Sequence, residues 1–115
     1  IINIGGLSAH IGARERAHVV TSKAALVGLT KAISMEFIER GITCNCVVPG
    51  FIEDFDTDKK SLQGHWLKHP QTPNLSIGRY GNPEDVAEVI SNLCKKESGY
   101  VNGQVLHVNG GAYTP

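Results

Sequence analysis

The side chains best able to do chemistry gather in the first fifth of this chain: Ser8, His10, His18 and Lys23. A histidine titrates in the range useful for proton transfer, and a lysine supplies a cation that favours an ionised neighbour. Two other sets invite chemistry and fail on inspection. His65 and His69 lie four apart and would face one way on a helix, as a metal requires, but Pro70 follows directly and no third ligand accompanies them, so no metal is expected. Cys44, Cys46 and Cys94 cannot all pair with one another, and the first two would share one face of a strand, so all three read as buried free thiols.

The elements that must position these residues alternate in type. Ile1 to Ile4 is a short apolar run ending at Gly5-Gly6, as a buried strand entering a loop would be, and Leu7 to Arg16 reads as that loop. From Ala17 to Glu39 the pattern is helical: Ala25, Leu29, Ala32, Ile33 and Phe37 form its expected core stripe, and Gly41 stops it. Gly28 inside that helix costs about 1 kcal/mol against Ala, which suggests close approach of another backbone. Ile42 to Val48 reads as a strand of a parallel sheet covered on both faces, ended by Pro49-Gly50. Residues 51–80 have no clean period and are expected to form a lid, with Trp66 and Leu67 over an apolar substrate. Asn82-Pro83-Glu84-Asp85 then opens a helix, and Gln104 to Val108 is a last strand running into the turn Asn109-Gly110-Gly111.

Strands alternating with helices imply parallel β-α-β units in a single α/β domain covering residues 1–115. Three strands make a thin sheet with an open edge at Ile1 to Ile4, so the chain is expected to be part of something longer. With 11 basic and 11 acidic residues the charge is balanced, which argues against nucleic acid and anionic membranes and for a small neutral or phosphate-bearing partner. Absence of a long apolar run and of a basic, apolar leader makes a soluble, cytoplasmic chain the expectation.

Several blocks occur in one order: Asn3-Ile4; Ser22-Lys23-Ala24-Ala25; Arg40-Gly41-Ile42-Thr43-Cys44-Asn45; Val48-Pro49-Gly50-Phe51-Ile52; Gly78-Arg79-Tyr80-Gly81-Asn82-Pro83-Glu84-Asp85-Val86-Ala87; and Gly103 to Gly111. Together they resemble the C-terminal half of the short-chain dehydrogenase/reductase family, above all its 3-oxoacyl-carrier-protein reductase-like members. The resemblance implies the C-terminal half of a doubly wound parallel-sheet, Rossmann-like fold, whose other half binds NAD or NADP through a glycine-rich turn. Gly5-Gly6 lacks that glycine spacing, so the dinucleotide half is not in this chain.

It also implies roles. In the family a serine after the strand positions the substrate carbonyl, a tyrosine donates the proton, and a lysine four residues later holds the nicotinamide ribose and lowers the tyrosine's pKa. Residues four apart share a helix face, which is why phenol and ammonium can meet over one ribose. Here the lysine matches Lys23, but the tyrosine position is Val19 and the serine position is Gly6. His18 is a stand-in acid only if the helix starts later than Val19, since on a helix it points about 100° away. Ser8, two residues past Gly6, could orient a carbonyl, and His10 more weakly so. Pro49, Gly50 and Ile52 match the segment lying along the nicotinamide, whereas Asp54 replaces a frequent threonine and would repel phosphate.

The resemblance therefore implies a fragment of an NAD(P)-dependent oxidoreductase that moves hydride between nicotinamide and a carbonyl or alcohol, of 3-oxoacyl type. The 115 residues alone are expected to be inactive, and the long helix resembles the family's subunit-contact helix, which implies a homo-oligomeric parent. The alternative is a non-catalytic member serving as a cofactor-sensing or partner subunit.

Overall fold

The computed structural model describes residues 1–53 and 77–115. Three strands, β1 (Ile2–Ile4), β2 (Asn45–Pro49) and β3 (Val105–Val108), form one parallel sheet in the order β1-β2-β3. Ile4 sits beside Val47, and Val48 beside His107. β2 is central and apolar on both faces, and Cys44 to Val48 are fully or almost fully buried. That is the continuous apolar run expected of a strand covered on both sides.

Helix α2 (Ala17–Glu36) packs against β1 and β2, and a short 3-10 turn, Ile38–Arg40, extends it to the left-handed Gly41. Helix α3 (Pro83–Leu93) packs against β2 and β3. Its start is a capping box: the Asn82 side chain accepts from the Asp85 amide at 2.9 Å, and the Asp85 carboxylate accepts from the Asn82 amide at 2.9 Å. Arg79 grips the same carboxylate with two nitrogens, at 2.7 and 3.0 Å. Those bonds, with the Asn82 amide, hold the Asp85 carboxyl down to about 2. The expected order of strands and long helices is thus the observed one.

Four expectations change. Leu7 to Arg16 is not all loop, because Ser8–Ile11 form a one-turn helix, α1, over which small residues leave no sequence period. The predicted stripe of α2 is only half right: Ile33 and Phe37 are half-buried on the face of Thr30 and Ser34, but the rest turns outward. Ala25 and Ala32 are exposed and Leu29 is 48% exposed, while the side against the sheet carries the buried Thr30 and Ser34. α2 is apolar around its circumference, and periodicity cannot say which apolar side meets the sheet. Thr30 is tolerated inside because its hydroxyl donates to the Leu26 carbonyl and accepts from the Asn3 amide. Gly28 has nothing within 4 Å of where a Cβ would stand, so no other backbone of the described chain approaches it. Cys94 is exposed, although Cys44 and Cys46 are buried and free as expected, with burial pushing the Cys46 thiol up.

Most of the expected lid, 51–80, lies outside the described residues, and with it Asp54, His65, Trp66, Leu67, His69 and Pro70. Its ends are fixed. Ile52 and Gly81 form a parallel bridge, the Gly81 amide donates to the Phe51 carbonyl at 2.9 Å, and the Glu53 amide donates to the Gly81 carbonyl at 2.8 Å.

Candidate active site

The candidate residues cluster where β1 and β2 end. β1 runs out at Ile4, and the Gly5 amide donates to the Val47 carbonyl at 2.8 Å, which carries the backbone across the sheet before it turns. Gly5 permits this: a Cβ there would stand 2.9 Å from both Cys46 Sγ and Val48 Cγ2. Gly6 then faces α2, where a Cβ would lie 3.3 Å from Lys23 Cγ and 3.5 Å from its Cδ. Lys23 lies along this corner and its Nζ donates to the Ile4 carbonyl at 2.9 Å. One of three ammonium N–H groups is thereby used among the described residues, and the head remains at the surface, as a ligand contact requires.

The side chains around Lys23 do not complete a proton-transfer set. Val19, one helical turn earlier, offers only a carbonyl, which accepts from Ser22 Oγ at 2.9 Å. α2 begins at Ala17, before Val19, and His18 is exposed. The condition under which His18 would reach Lys23's corner is not met. Ser8 opens α1 and is half-buried, two residues past Gly6.

At the next strand end the backbone leaves no room at all. The Gly50 amide donates to the Val108 carbonyl at 2.9 Å, and a Cβ on Gly50 would stand 2.6 Å from Asn109 Cα and Cβ. Only glycine lets β2 and β3 run together past Pro49. Packing therefore requires Gly50 whether or not a nicotinamide passes it. Beyond, Phe51, Ile52, Ile77, Arg79, Val108 and Asn109 line a cavity of about 190 Å³ on the α3 side of the sheet. Asp85 lines it too and holds the Arg79 guanidinium, so the walls are apolar apart from that ion pair and the Asn109 side chain, a lining that suits a small, largely apolar ligand.

Two further features carry little or no local signal in the sequence. The Arg79–Asp85 pair had a visible signal in the spacing of six residues at a helix start, but its geometry did not. The other is a contact of His10 with His107 and Tyr113, with no local signal, since the two histidines are 97 positions apart.

A parallel sheet clad by helices, with a lysine over the end of its first strand and a glycine crossing beside its last, is the architecture of a short-chain dehydrogenase/reductase, and the chain belongs to that family. A family model described as enoyl-(acyl carrier protein) reductase matches residues 1–113. Among curated proteins, the 3-oxoacyl-[acyl-carrier-protein] reductase of Rickettsia bellii is 43% identical over 111 residues, which are 96% of this chain and 45% of that protein. The enzyme of the same name from Aquifex aeolicus is 36% identical over 113 residues, 98% of this chain and 44% of its own length. A crystal structure of a short-chain dehydrogenase/reductase, glucose/ribitol dehydrogenase, from Brucella melitensis superposes with a TM-score of 0.78 at 34% identity, covering all of this chain and 43% of the other. This chain thus spans less than half the length of the relatives it matches.

Proposed function

We propose that this chain is the ribose- and substrate-side part of an NAD(P)-dependent oxidoreductase acting on a carbonyl or alcohol, of the 3-oxoacyl type named in its relatives. The observation that carries the reading is Lys23: it is fixed by the Ile4 carbonyl at the C-terminal end of the parallel sheet, with N–H groups to spare for ribose hydroxyls. The nicotinamide, when bound, supplies or accepts the hydride. The chain's own part is to hold the ribose through Lys23, to offer the backbone of Pro49, Gly50 and Ile52 as a wall, and to seat the substrate in the cavity beside Phe51 and Ile52. Ser8 is the hydroxyl nearest in sequence to Gly6 and is the proposed orienting group for the carbonyl. Mixing NADH or NADPH and a panel of ketones and 3-oxoacyl thioesters with the full-length protein tests this reading. Nucleotide binding weakened at least tenfold by Lys23→Ala is expected, with slow turnover of one substrate class. Absence of nucleotide binding would sink it.

A second reading, a non-catalytic cofactor-sensing or partner subunit, rests on a separate observation. Val19 presents no acid, and the space beside Gly6 is taken by the Lys23 stem. Nucleotide binding without turnover would favour it. In either case the outward side of α2, with Leu29 and Met35 exposed at 48% and 71%, is the proposed contact with another copy of the protein. Sedimentation of the full-length protein with and without Leu29→Lys tests that contact, and an unchanged mass would remove it. No helix among the described residues is long and apolar enough to cross a membrane.

A further inference from the structure

His10 on α1, His107 on β3 and Tyr113 beyond β3 come from three separate segments and meet in one aromatic cluster. The histidine rings are 4.6 Å apart, edge to face, and the tyrosine ring lies 5.6 Å from His10 and 5.1 Å from His107. His10 Nε2 and His107 Nδ1 are both buried with no hydrogen-bond partner among the described residues. His107 stands beside Val48, whose side chain, like that of Cys46, faces Gly5, so the cluster covers the sheet next to the Gly5-Gly6 corner. The segment carrying Tyr113 is folded back by Asn109, whose side chain donates to the Tyr113 carbonyl at 2.8 Å.

We propose that His10, His107 and Tyr113 form a proton-operated latch that pins α1 and the segment after β3 to the sheet and releases both when the imidazoles become charged. A proton on either buried nitrogen would place a cation on a half-buried imidazole against the other ring. No described carboxylate pairs with it. α1 contributes no titratable group but His10, and β2 contributes the thiol of Cys46 beside the apolar Val48. α2 contributes His18, which is exposed, and Lys23, a like charge already committed to the Ile4 carbonyl. Beyond β3 the group in contact is the phenol of Tyr113. Burial, and then His10, pushes the His107 imidazole down, which agrees with a closed form that takes up protons reluctantly.

By linkage His107, held down in the closed form, stabilises the latch above the open-state value of about 6.5, and that contribution is lost as pH falls below it. Because α1 begins two residues after Gly6, release would loosen the corner next to Lys23 whatever reaction occurs there. The test is hydrogen exchange in the full-length protein, with protection factors corrected for intrinsic rates. Protection of amides in α1 and after Asn109 should fall roughly tenfold between pH 7.5 and 5.5, while those in β2 hold. His107→Phe keeps a ring and removes its nitrogens, and should flatten the pH dependence; His10→Phe takes away the neighbouring imidazole and should weaken it. NMR of the imidazoles gives a second readout, in which His107 should titrate below 6.5 in the native protein. Protection that ignores pH, a fall of the same size in both variants, or a His107 imidazole titrating at 6.5 or above would overturn the latch.

Discussion

The two strand ends that meet at the candidate site are built on opposite terms. Where β2 passes β3, Gly50 lies so close to Asn109 that a single methyl group would collide with backbone at 2.6 Å. Where β1 turns toward α2, Gly6 faces a flexible lysine stem at 3.3 Å, and Val19 is half-buried one turn from Lys23. The first corner is fixed by packing and tolerates nothing larger. The second could admit a side chain at Gly6 if the Lys23 stem gives by a few tenths of an ångström, and neither Gly6 nor Val19 brings an acid group to it. The geometry of the scaffold and the reactive groups set upon it are therefore separable in this chain.

The sharpest test of that separation is to refill the second corner. Gly6→Ser with Val19→Tyr should raise the turnover of the full-length protein by on the order of 10²- to 10⁴-fold, the usual worth of a positioned acid, as read from NAD(P)H oxidation. No gain despite intact nucleotide binding would show that the corner differs by more than two side chains. Refilling the first corner should do harm instead. Gly50→Ala is expected to destabilise the fold by about 1–3 kcal/mol, the usual range for overpacking, measured by denaturant unfolding, and a neutral result would mean that β2 and β3 separate more easily than their 2.9 Å bond implies.

Smaller effects map the ends of α3 and the outside of α2. Asn82→Ala removes the cap from α3 and should cost about 1 kcal/mol, again by denaturant midpoint. Asp85, held down to about 2, stabilises the capped, Arg79-paired form above the unfolded carboxyl value near 4, and that contribution is lost as pH falls from about 4 through 2. Arg79→Gln should therefore narrow the stability difference between pH 5 and pH 2.5, and equal acid sensitivity in both proteins would remove Asp85 as its source. Gly28→Ala meets open space and should gain up to about 1 kcal/mol from helix propensity. A loss in the assembled protein would reveal a second backbone against α2, and so would sharpen the contrast between the helix's two apolar sides.

Several elements were legible because their signals are local. Asn82-Pro83-Glu84-Asp85 specifies its own cap through side chains three residues apart, and Gly41 marks a helix end that needs a left-handed backbone. The apolar run of β2 specifies burial on both faces. The four-residue α1 escaped notice because one turn of helix is too short to display a period, and it is held by the elements it touches. The core side of α2 is legible only in Ile33 and Phe37. Thr30 and Ser34 look polar in sequence and become good interior residues only once their hydroxyls find the Leu26 and Lys31 carbonyls.

By itself, then, the sequence determined the order of elements, the parallel sheet, the family, and the absence of a phenol at 19 and a hydroxyl at 6, since each is written in residue type and short spacing. Only the tertiary structure decided that Lys23 rests on Ile4, that Gly50 is demanded by Asn109, and that His10 meets His107. Those contacts join residues 19, 59 and 97 positions apart, and no local pattern encodes a distance that is set by how strands and helices close upon one another.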